Sequence, residues 1–454
     1  MSQDSTRLFG TDGVRGHFGE PPLDRPTVTA LAVQLAATLR ERGNGAPPKV
    51  VLGGDTREST PVICRWLAAG LTVGGVDVRY AGVIPTPGVA YLTRETGATA
   101  GVVVSASHNP YPDNGIKLID PQGTKWSDED ELSLELRLKA HPADVPDLPD
   151  GQPAVETGLR ELYLHHLAAT LPEGRPLDGL KVVLDTGNGA ASTYGRELFE
   201  RLGARVVLLH AEPNGRNVNE GCGSTAPAGM AARVVAERAD LGAAFDGDAD
   251  RCILADERGE VRDGDAILYL WATCLHRGGR LNPSMIVATS MSNLGLERAL
   301  AAEGIGIVRC AVGDRYVVEA MRKEGILLGG EQSGHIVQSH LASTGDGLLT
   351  AIQMAFVRHQ DGRPLSEMLA PFRRYPQVLL NVRVKRKVAF QDLPSVTTAA
   401  RAVEDRLGDD GRLVLRYSGT EPLARIMIEG PEQATIDALA EELAVAIRGE
   451  LGAG

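Results

Sequence analysis

Short runs of apolar residues alternate along the chain with longer segments in which apolar residues recur every three or four positions. The short runs predict β-strands and the longer segments predict amphipathic α-helices. The predicted strands lie at Lys49–Leu52, Gly101–Val104, Lys181–Leu184, Leu241–Phe245 and Met285–Ala288. The predicted helices lie at Val28–Glu41, Pro61–Gly70, Tyr194–Leu202 and Gly229–Arg238. This alternation is typical of α/β proteins with largely parallel sheets.

Breaks in the pattern divide the chain into segments. His141–Gly158 is rich in proline and acidic residues and predicts a linker, while polar or proline-bearing stretches at Asp256–Asp265 and Asp361–Pro376 indicate two further boundaries. We therefore expect domains at residues 1–157, 158–257, 258–370 and 371–454. After residue 371, strand-like runs at 378–384, 412–415 and 425–429 and a helical pattern at 434–448 predict a small α+β domain.

Composition narrows the possible partners. The chain has 454 residues, of which 43% are hydrophobic and 23% charged, and this is the composition of a folded globular protein. The net charge of −12 would repel a phosphate backbone, so we expect no nucleic-acid partner. A small anionic substrate remains compatible with this charge if cations are concentrated in one cleft.

The location of the protein is also constrained by its sequence. The five cysteines are odd in number, widely spaced and without a C-x-x-C pair, which favours a reducing cytoplasm. The first residues lack the pattern of a signal peptide, and no apolar run approaches the ~18 residues that would span a bilayer. We therefore predict a cytoplasmic protein without a membrane partner.

Two loops carry candidate chemistry. Ser105–Pro110 follows a predicted strand, and Ser107 with His108 and nearby Lys117 could form an activated nucleophile or a phosphate carrier. The same serines could equally satisfy backbone groups at the end of a strand.

The second loop is Asp246-Gly-Asp248-Ala-Asp250-Arg251. Three carboxylates at alternate positions can converge on one hard cation, and their oxygen atoms suit Mg²⁺. An EF-hand is excluded because Arg251 occupies the position of its invariant glycine and the flanking segments are strand-like. An aspartyl-phosphate hydrolase with Asp246 as nucleophile remains an alternative.

Three further segments have the composition of ligand-binding loops. Gly329–His335 offers Glu331, Ser333 and His335 beside glycines, which suits sugar hydroxyls or an amine. Arg416–Pro422, followed closely in the sequence by Arg425, offers hydroxyls and guanidinium groups that could bind a phosphate. The N-terminal segment Phe9–Gly16 places Arg15 in a glycine-rich loop that can approach a phosphate. Each segment taken alone could be an ordinary turn.

Nucleotide and zinc-protease motifs are missing: there is no G-x-x-x-x-G-K-[ST] and no H-E-x-x-H, and Ser192 replaces the third glycine of a dinucleotide fingerprint.

Taken together and in this order, the segments resemble the α-D-phosphohexomutase superfamily, and most closely its bacterial amino-sugar branch. The motifs that carry the resemblance are FGTDGVRG, SASHNP followed by DNGIK, DGDADR, VGDRYV at Val312–Val317, GGEQSGH and SGTEP. The resemblance implies three related α/β domains with mixed sheets and a smaller C-terminal α+β domain around a central cleft. Tyr417 departs from the lysine that is common at its position.

The resemblance also assigns roles to residues. Ser107 would carry the phosphoryl group and, with Asp246, Asp248 and Asp250, would hold one Mg²⁺. Arg15, His108, Lys117 and Arg251 would assist catalysis. The residues that would bind substrate are Glu331, Ser333, His335, Arg416, Ser418, Gly419, Thr420 and Arg425. Among them, His108, Lys117 and His335 are the candidates for proton transfer.

The implied reaction interconverts glucosamine 6-phosphate and glucosamine 1-phosphate through a sugar 1,6-bisphosphate, which would also act as activator. It would supply UDP-N-acetylglucosamine and cell-wall synthesis. Sugar phosphates would be the ligands, and the protein would act as a monomer or homodimer. Mannose or glucose phosphates are the nearest alternative substrates; the phosphatase named above and a non-catalytic sugar-phosphate binding protein are more distant alternatives.

Overall fold

The computed structural model describes residues 7–10, 12–43, 45–140, 151–418 and 421–452. The chain divides into two compact units. The first comprises residues 1–291 and 305–370, and the second comprises Ser292–Gly304 and Pro371–Gly454. The first ten residues of the predicted linker, 141–150, lie outside the described residues. None of the described helices is both long enough and apolar enough to cross a membrane.

The helices of the described chain are α1 Arg25–Arg42, α2 Thr60–Val73, α3 Thr86–Glu95, α4 Asp128–Ala140, α5 Thr157–Ala169, α6 Gly195–Arg201, α7 Ala228–Glu237, α8 Gly264–Arg277, α9 Leu294–Ala302, α10 Asp314–Glu324, α11 Gly347–Asp361, α12 Leu365–Met368, α13 Pro394–Leu407 and α14 Gln433–Leu451.

The strands are β1 Val14–His17, β2 Lys49–Gly54, β3 Asp77–Val83, β4 Ala100–Val104, β5 Asp113–Ile119, β6 Lys181–Asp185, β7 Arg205–Leu209, β8 Leu241–Phe245, β9 Cys252–Asp256, β10 Val261–Arg262, β11 Met285–Thr289, β12 Gly306–Cys310, β13 Leu328–Gly330, β14 Ile336–Gln338, β15 Gln377–Arg383, β16 Arg412–Tyr417 and β17 Leu423–Glu429. Every strand and helix named from the sequence pattern is present, with ends that differ by a few residues.

Three sheets of the first unit share one plan. Their strand orders are β1-β5-β4-β2-β3, β10-β9-β8-β6-β7 and β12-β11-β13-β14. In each sheet three neighbouring strands are parallel, and one edge is extended by antiparallel pairing: β5 and then β1 in the first sheet, the β9–β10 hairpin in the second and β14 in the third. The sheets are therefore mixed, as the family resemblance implied, rather than largely parallel.

The second unit is an α+β structure, as predicted. Its sheet has the order β15-β17-β16 and is antiparallel throughout. Side chains from β17, α13 and α14, among them Val396, Ile426 and Leu443, form one core cluster. Glu429, at the end of β17, is buried and accepts hydrogen bonds from the Asn293 side chain, the Leu294 backbone and Arg412. These contacts join α9 to this unit.

The domain boundaries proposed from the sequence stay predictions. The one near residue 258 falls within the β9–β10 hairpin, because Val261 pairs with Ala255 and Arg262 with Leu254 in the second sheet. Polar stretches occur in hairpin turns as well as in linkers, so composition does not distinguish the two.

The central strands determine where the chemistry lies. β4 and β8 are buried along their whole length, which explains their continuous apolar sequence. Each ends in a polar loop at its carboxyl end. In open α/β sheets this is the end at which ligands bind.

Candidate active site

The serine loop leaves β4 in a conformation that serine rarely adopts. Ser107 has φ +51°, in the left-handed region, and its side chain is buried. Its backbone N–H donates to Ser105 Oγ at 2.9 Å, and Ser105 Oγ donates to Asp55 Oδ2 at 2.6 Å. Strained residues of this kind persist only where their surroundings hold them and they cluster at functional sites.

Arg57 binds the backbone of the same loop. Its guanidinium group is fully buried, pairs with Asp55 at 2.8 Å, and donates to the carbonyl oxygens of Ser107, Asn109 and Pro110 at 2.6–2.9 Å. The sequence analysis missed Arg57. The available signal was its place just after β2, the strand that neighbours β4 in the sheet.

The aspartate loop follows β8. One carboxylate oxygen from each of Asp246, Asp248 and Asp250 lies within 4.8 Å of the others, and all three side chains are buried. Oδ1 of Asp248 and Oδ1 of Asp250 have no hydrogen-bond partner among the described residues. Burial, together with Asp250 and Asp248, raises the pKa of Asp246 well above its usual range. This donor set fits a hard divalent cation such as Mg²⁺.

The two loops meet at the serine hydroxyl. Ser107 Oγ donates to Asp246 Oδ2 at 2.5 Å, and His108 Nδ1 lies 3.4 Å from the same hydroxyl oxygen. Asn219, which the sequence analysis did not single out, donates to the Ser107 carbonyl oxygen at 2.9 Å. The hydroxyl therefore lies within reach of both the carboxylate cluster and an imidazole.

Lys117 balances the charge of the aspartates. Its side chain is fully buried, and its Nζ lies 2.8 Å from Asp248 Oδ2, 3.2 Å from Asp12 Oδ2 and 3.6 Å from Asp250 Oδ2. Burial opposes the charge, but Asp12 and Asp248 outweigh it and raise the pKa of Lys117 well above its usual value. The lysine is thus a fixed cation at neutral pH.

Residues around this lysine were also missed as site residues. Thr86, at the start of α3, donates through Oγ1 to Asp248 Oδ2 at 2.6 Å and through its N–H to the Asp248 carbonyl. Asp12 pairs with Lys125 and Arg15, and Lys125 pairs with Asp314 at 2.5 Å. Asp12 and Asp314 do lie inside motifs that the sequence analysis quoted.

The two predicted catalytic arginines lie beside these loops. Arg15 donates to the Ala106 carbonyl oxygen at 2.9 Å and to Asn109 Oδ1 at 3.2 Å, so it touches the serine loop. Arg251 follows the aspartates directly, its N–H donates to Asp246 Oδ1 at 3.2 Å, and its Nε lies 3.9 Å from Asp250 Oδ1.

The predicted sugar loop connects β13 to β14. Glu331 accepts a hydrogen bond from the Gly313 N–H at 3.0 Å, and Ser333 Oγ donates to Glu331 at 3.4 Å. The Gly334 carbonyl oxygen accepts from the N–H of Cys252, the residue after Arg251, so this loop adjoins the aspartate loop.

His335, at the end of the same loop, lies in the interior. It is 2% exposed. Its Nε2 accepts a hydrogen bond from the Gly345 N–H at 3.2 Å and lies 3.6 Å from Asp314 Oδ2.

The predicted phosphate loop belongs to the second unit. Arg416 on β16 lies directly opposite Arg425 on β17, and Ser418 Oγ lies 3.4 Å from an Arg425 nitrogen. Like charges placed opposite each other on neighbouring strands destabilise a sheet; Glu421 pairs with Arg425 at 3.3 Å, and an anion bound between the two arginines would compensate their repulsion further. Gly419 and Thr420 lie outside the described residues.

Tyr417 turns away from that loop. Its ring stacks on Phe390 with centroids 4.2 Å apart, and its hydroxyl donates to the Val388 carbonyl oxygen at 2.6 Å. Since neighbouring residues of a strand point to opposite faces, a tyrosine between Arg416 and Ser418 packs against this unit's core.

The fold and the site define a sugar-phosphate mutase class. Models of the phosphoglucomutase/phosphomannomutase α/β/α domains I, II and III match residues 6–143, 161–259 and 263–375, and the model of the C-terminal domain matches residues 379–446. The chain therefore belongs to the phosphoglucomutase/phosphomannomutase family.

Individual relatives narrow this class. The chain is 46% identical to the phosphoglucosamine mutase of Solibacter usitatus over 448 residues, 98% of this chain and 99% of that protein. Its fold is similar to that of a phosphoglucomutase/phosphomannomutase family protein from Burkholderia thailandensis, with TM-score 0.81, 23% identity and 99% coverage of both chains. It is also similar to the Aspergillus fumigatus N-acetylphosphoglucosamine mutase in complex with GlcNAc-6P and magnesium, with TM-score 0.65, 20% identity and coverage of 98% and 96%.

Proposed function

We propose that this enzyme interconverts glucosamine 6-phosphate and glucosamine 1-phosphate through a phosphoserine at Ser107. The observation that carries the proposal is the 2.5 Å hydrogen bond from Ser107 Oγ to Asp246, which joins a strained serine to a buried carboxylate cluster. The choice of an amino sugar follows the phosphoglucosamine mutase that is 46% identical to this chain.

The site has the donor set for one Mg²⁺. Asp246, Asp248 and Asp250 would hold it together with an oxygen of Ser107 or its phosphate. Oδ1 of Asp248 and Oδ1 of Asp250, which lack a hydrogen-bond partner in the described part of the chain, support this assignment. When bound, the ion neutralises charge on the phosphoryl group that is transferred.

The reaction moves a phosphoryl group between Ser107 and the two ends of the sugar. The P–Oγ bond of phosphoserine 107 breaks, a P–O bond to one sugar hydroxyl forms, and one proton moves from that hydroxyl to Ser107 Oγ in exchange for the phosphoryl group. The resulting 1,6-bisphosphate turns over in the site, and its other phosphoryl group returns to Ser107. Supplying the same bisphosphate from solution would recharge a serine that has lost its phosphate.

Of the three candidates for proton transfer, His108 contacts the Ser107 hydroxyl, whereas Asp246, which accepts from that hydroxyl, would be occupied by the metal ion. Burial, together with Arg251 and Arg15, lowers the pKa of His108 below its ordinary 6.5, so the ring is neutral at pH 7. A neutral imidazole 3.4 Å from Oγ can take the hydroxyl proton when Ser107 is the attacking group and return it when Ser107 leaves. Lys117 and Arg15 would supply fixed positive charge at the phosphate.

The remaining candidates would bind the rest of the substrate. Glu331 and Ser333 would accept and donate hydrogen bonds to sugar hydroxyls or the amine. The phosphate that is not reacting would bind at Arg416, Ser418, Gly419, Thr420 and Arg425. His335, which is buried against Gly345 and Asp314, would support this loop rather than exchange protons with the sugar.

The cellular setting belongs to the same proposal. The product would supply UDP-N-acetylglucosamine for the cell wall, in the cytoplasm, where the five free cysteines would stay reduced. A monomer or homodimer stays our prediction for the assembly.

The test compares turnover of glucosamine, mannose and glucose 6-phosphates, with Mg²⁺ and the 1,6-bisphosphate of each sugar, in wild type and Ser107→Ala. We expect at least a tenfold preference for the amino sugar, about 1.4 kcal/mol in transition-state binding, and no turnover by the variant. Ser395→Ala, at an exposed position of α13, is the control for loss of a serine hydroxyl. A preference for mannose or glucose would contradict the substrate, and a fully active Ser107→Ala would contradict the mechanism.

A further inference from the structure

A second cluster of possible metal ligands lies in the first unit, outside the active-site loops. It combines Asp185 at the end of β6, His210 just after β7 and Cys222 in the following loop. One carboxylate oxygen, one ring nitrogen and the cysteine sulfur lie within 4.8 Å of one another. Residues far apart in the sequence are therefore brought together by the sheet.

Among the described residues, the cluster contains a buried carboxylate oxygen without a hydrogen-bond partner. Asp185 is fully buried; its Oδ1 accepts from the Gly187 N–H at 3.0 Å and lies 3.0 Å from His210 Nδ1. Its Oδ2 is buried without a hydrogen-bond partner among the described residues. Leaving a buried carboxylate oxygen unpaired costs free energy, and a cation bound in the cluster would compensate it.

The backbone around the cluster is held in an unusual conformation. His210, Asn188 and Asn219 all have positive φ, between 48° and 58°. The backbone N–H of Asn188 donates to the His210 carbonyl oxygen at 2.7 Å, and Thr186 Oγ1 donates to the same oxygen at 2.6 Å. The ligands are thus presented by loops that are braced against each other, as a preorganised binding site requires.

We propose that Asp185, His210 and Cys222 form a second metal site, which takes Zn²⁺. A carboxylate, an imidazole and a thiolate are the ligands that Zn²⁺ prefers, whereas Mg²⁺ prefers oxygen atoms alone. Three protein ligands leave a fourth position for water. The His210 side chain is 40% exposed, so solvent and the ion can reach the cluster. Binding replaces the thiol proton of Cys222, which is released to solvent as the S–Zn bond forms.

The site would stabilise the loop that supports the serine. Asn219, three residues before Cys222, donates to the Ser107 carbonyl oxygen at 2.9 Å, and the Asn188 carbonyl oxygen accepts from Thr56 Oγ1 at 2.5 Å. The ion would therefore have a structural role, and it is independent of the sugar that the enzyme uses.

The test measures bound zinc in the full-length protein. The protein is stripped with a chelator, incubated with equimolar Zn²⁺ in excess Mg²⁺, desalted and analysed by mass spectrometry of the metal. We expect one zinc per chain in wild type, at least a tenfold loss in Cys222→Ser and His210→Ala, and full retention in Cys274→Ser. Asp248→Asn should also keep its zinc, because it alters only the aspartate triad.

Substitution of cobalt for zinc tests whether the Cys222 thiolate is a metal ligand. With Co²⁺ in place of Zn²⁺, wild type should show the thiolate-to-cobalt charge-transfer absorption, and Cys222→Ser should lack it. Because the His210 side chain is partly exposed, we expect His210→Ala to fold normally. The test therefore does not depend only on Cys222→Ser, which alters a buried residue. Absence of zinc from wild type, retention of the wild-type amount of zinc by the Cys222 and His210 variants, or loss of zinc only in Asp248→Asn would overturn the proposal. The first of these results would leave Asp185 and His210 as an ordinary hydrogen-bonded pair.

Discussion

Lys117 is a fully buried cation that faces three carboxylates, and the balance between them is the main electrostatic feature of the site. Its Nζ lies within 3.6 Å of Asp12, Asp248 and Asp250. Taking such charges out of water is tolerated only when they compensate one another. We therefore expect the lysine to stabilise the folded chain as well as to serve in the proposed phosphate binding.

Removing that charge should destabilise the protein. We expect Lys117→Met to lower the free energy of unfolding by about 3–5 kcal/mol, because it leaves buried carboxylates without their partner. Urea unfolding measures the loss, and Lys139→Met, a more exposed lysine paired with Glu135, is the control. Mg²⁺ should restore part of the stability by replacing the missing charge. A loss below about 1 kcal/mol would show that the carboxylates are protonated or hydrated instead.

At the scale of the elements, two loops from neighbouring sheets must approach closely. Gly247 lies between two of the aspartates, and a Cβ there would lie 2.6 Å from the Ser107 carbonyl oxygen and 2.9 Å from Val218 Cγ2. Only glycine lets the aspartate loop approach the serine loop at this distance.

Gly247→Ala should therefore impair catalysis. The methyl group would push Ser107 away from the aspartates by a fraction of an ångström or more, and misplacement on that scale costs up to about 10²-fold in rate. We expect kcat to fall by roughly that factor with a smaller change in KM. Gly229→Ala, where a Cβ meets no atom within 4 Å, is the matched control. Unchanged kcat would mean that the two loops are free to separate.

The cap of α11 should make stability depend on pH. Asp346 accepts from the Leu349 N–H at 2.9 Å and from the Tyr163 hydroxyl at 2.8 Å, and burial raises the pKa of its carboxyl from 3.8 to about 6. The folded chain therefore binds this proton more tightly than the unfolded chain does. The resulting stabilisation is present below pH 3.8 and is lost as the pH rises through about 6.

Asp346→Asn should remove this dependence. Relative to the variant, wild type should lose about 2 kcal/mol between pH 4 and pH 6, which is most of the total of about 3 kcal/mol that a shift from 3.8 to about 6 gives at about 1.4 kcal/mol per pKa unit. Unfolding in urea across this range measures the difference between the two proteins. Asp24→Asn, at the N-cap of α1, controls for loss of a capping carboxylate. Parallel curves for wild type and Asp346→Asn would refute the assignment.

At the scale of the whole molecule, the candidate magnesium ligands all belong to the first unit. A ligand that binds only the folded state stabilises the structure to which it binds, by about 2.7 kcal/mol at one hundred times its Kd. Without sugar phosphate, we expect Mg²⁺ to slow amide hydrogen exchange around β8 and β4 but not in β15 to β17. Hydrogen exchange with mass spectrometry measures both. Equal protection in both units, or protection that persists in Asp248→Asn, would argue against the triad as the site.

Much of the architecture follows from local sequence. Buried parallel strands have continuous apolar sequences, so the sequence predicts β4 and β8. The α+β character of the last segment is predicted in the same way. The polar loops that follow these strands contain Ser107 and the three aspartates, which makes these residues candidates for the site. In open α/β sheets ligands bind at the carboxyl ends of the strands, and this is where such loops lie.

Other features depend on contacts between distant residues. Arg57 and Asn219 bind the serine loop through backbone carbonyl oxygens, which carry no signature in the sequence. The second sheet brings Asp185, at the end of β6, close to His210 and Cys222, which lie in the segment between β7 and α7. Sequence alone thus determined the secondary-structure elements and indicated candidate residues whose chemistry suits phosphate and metal binding. Only the tertiary structure decided which of them are neighbours and how burial alters their charge, because distances and desolvation arise from packing rather than from order along the chain.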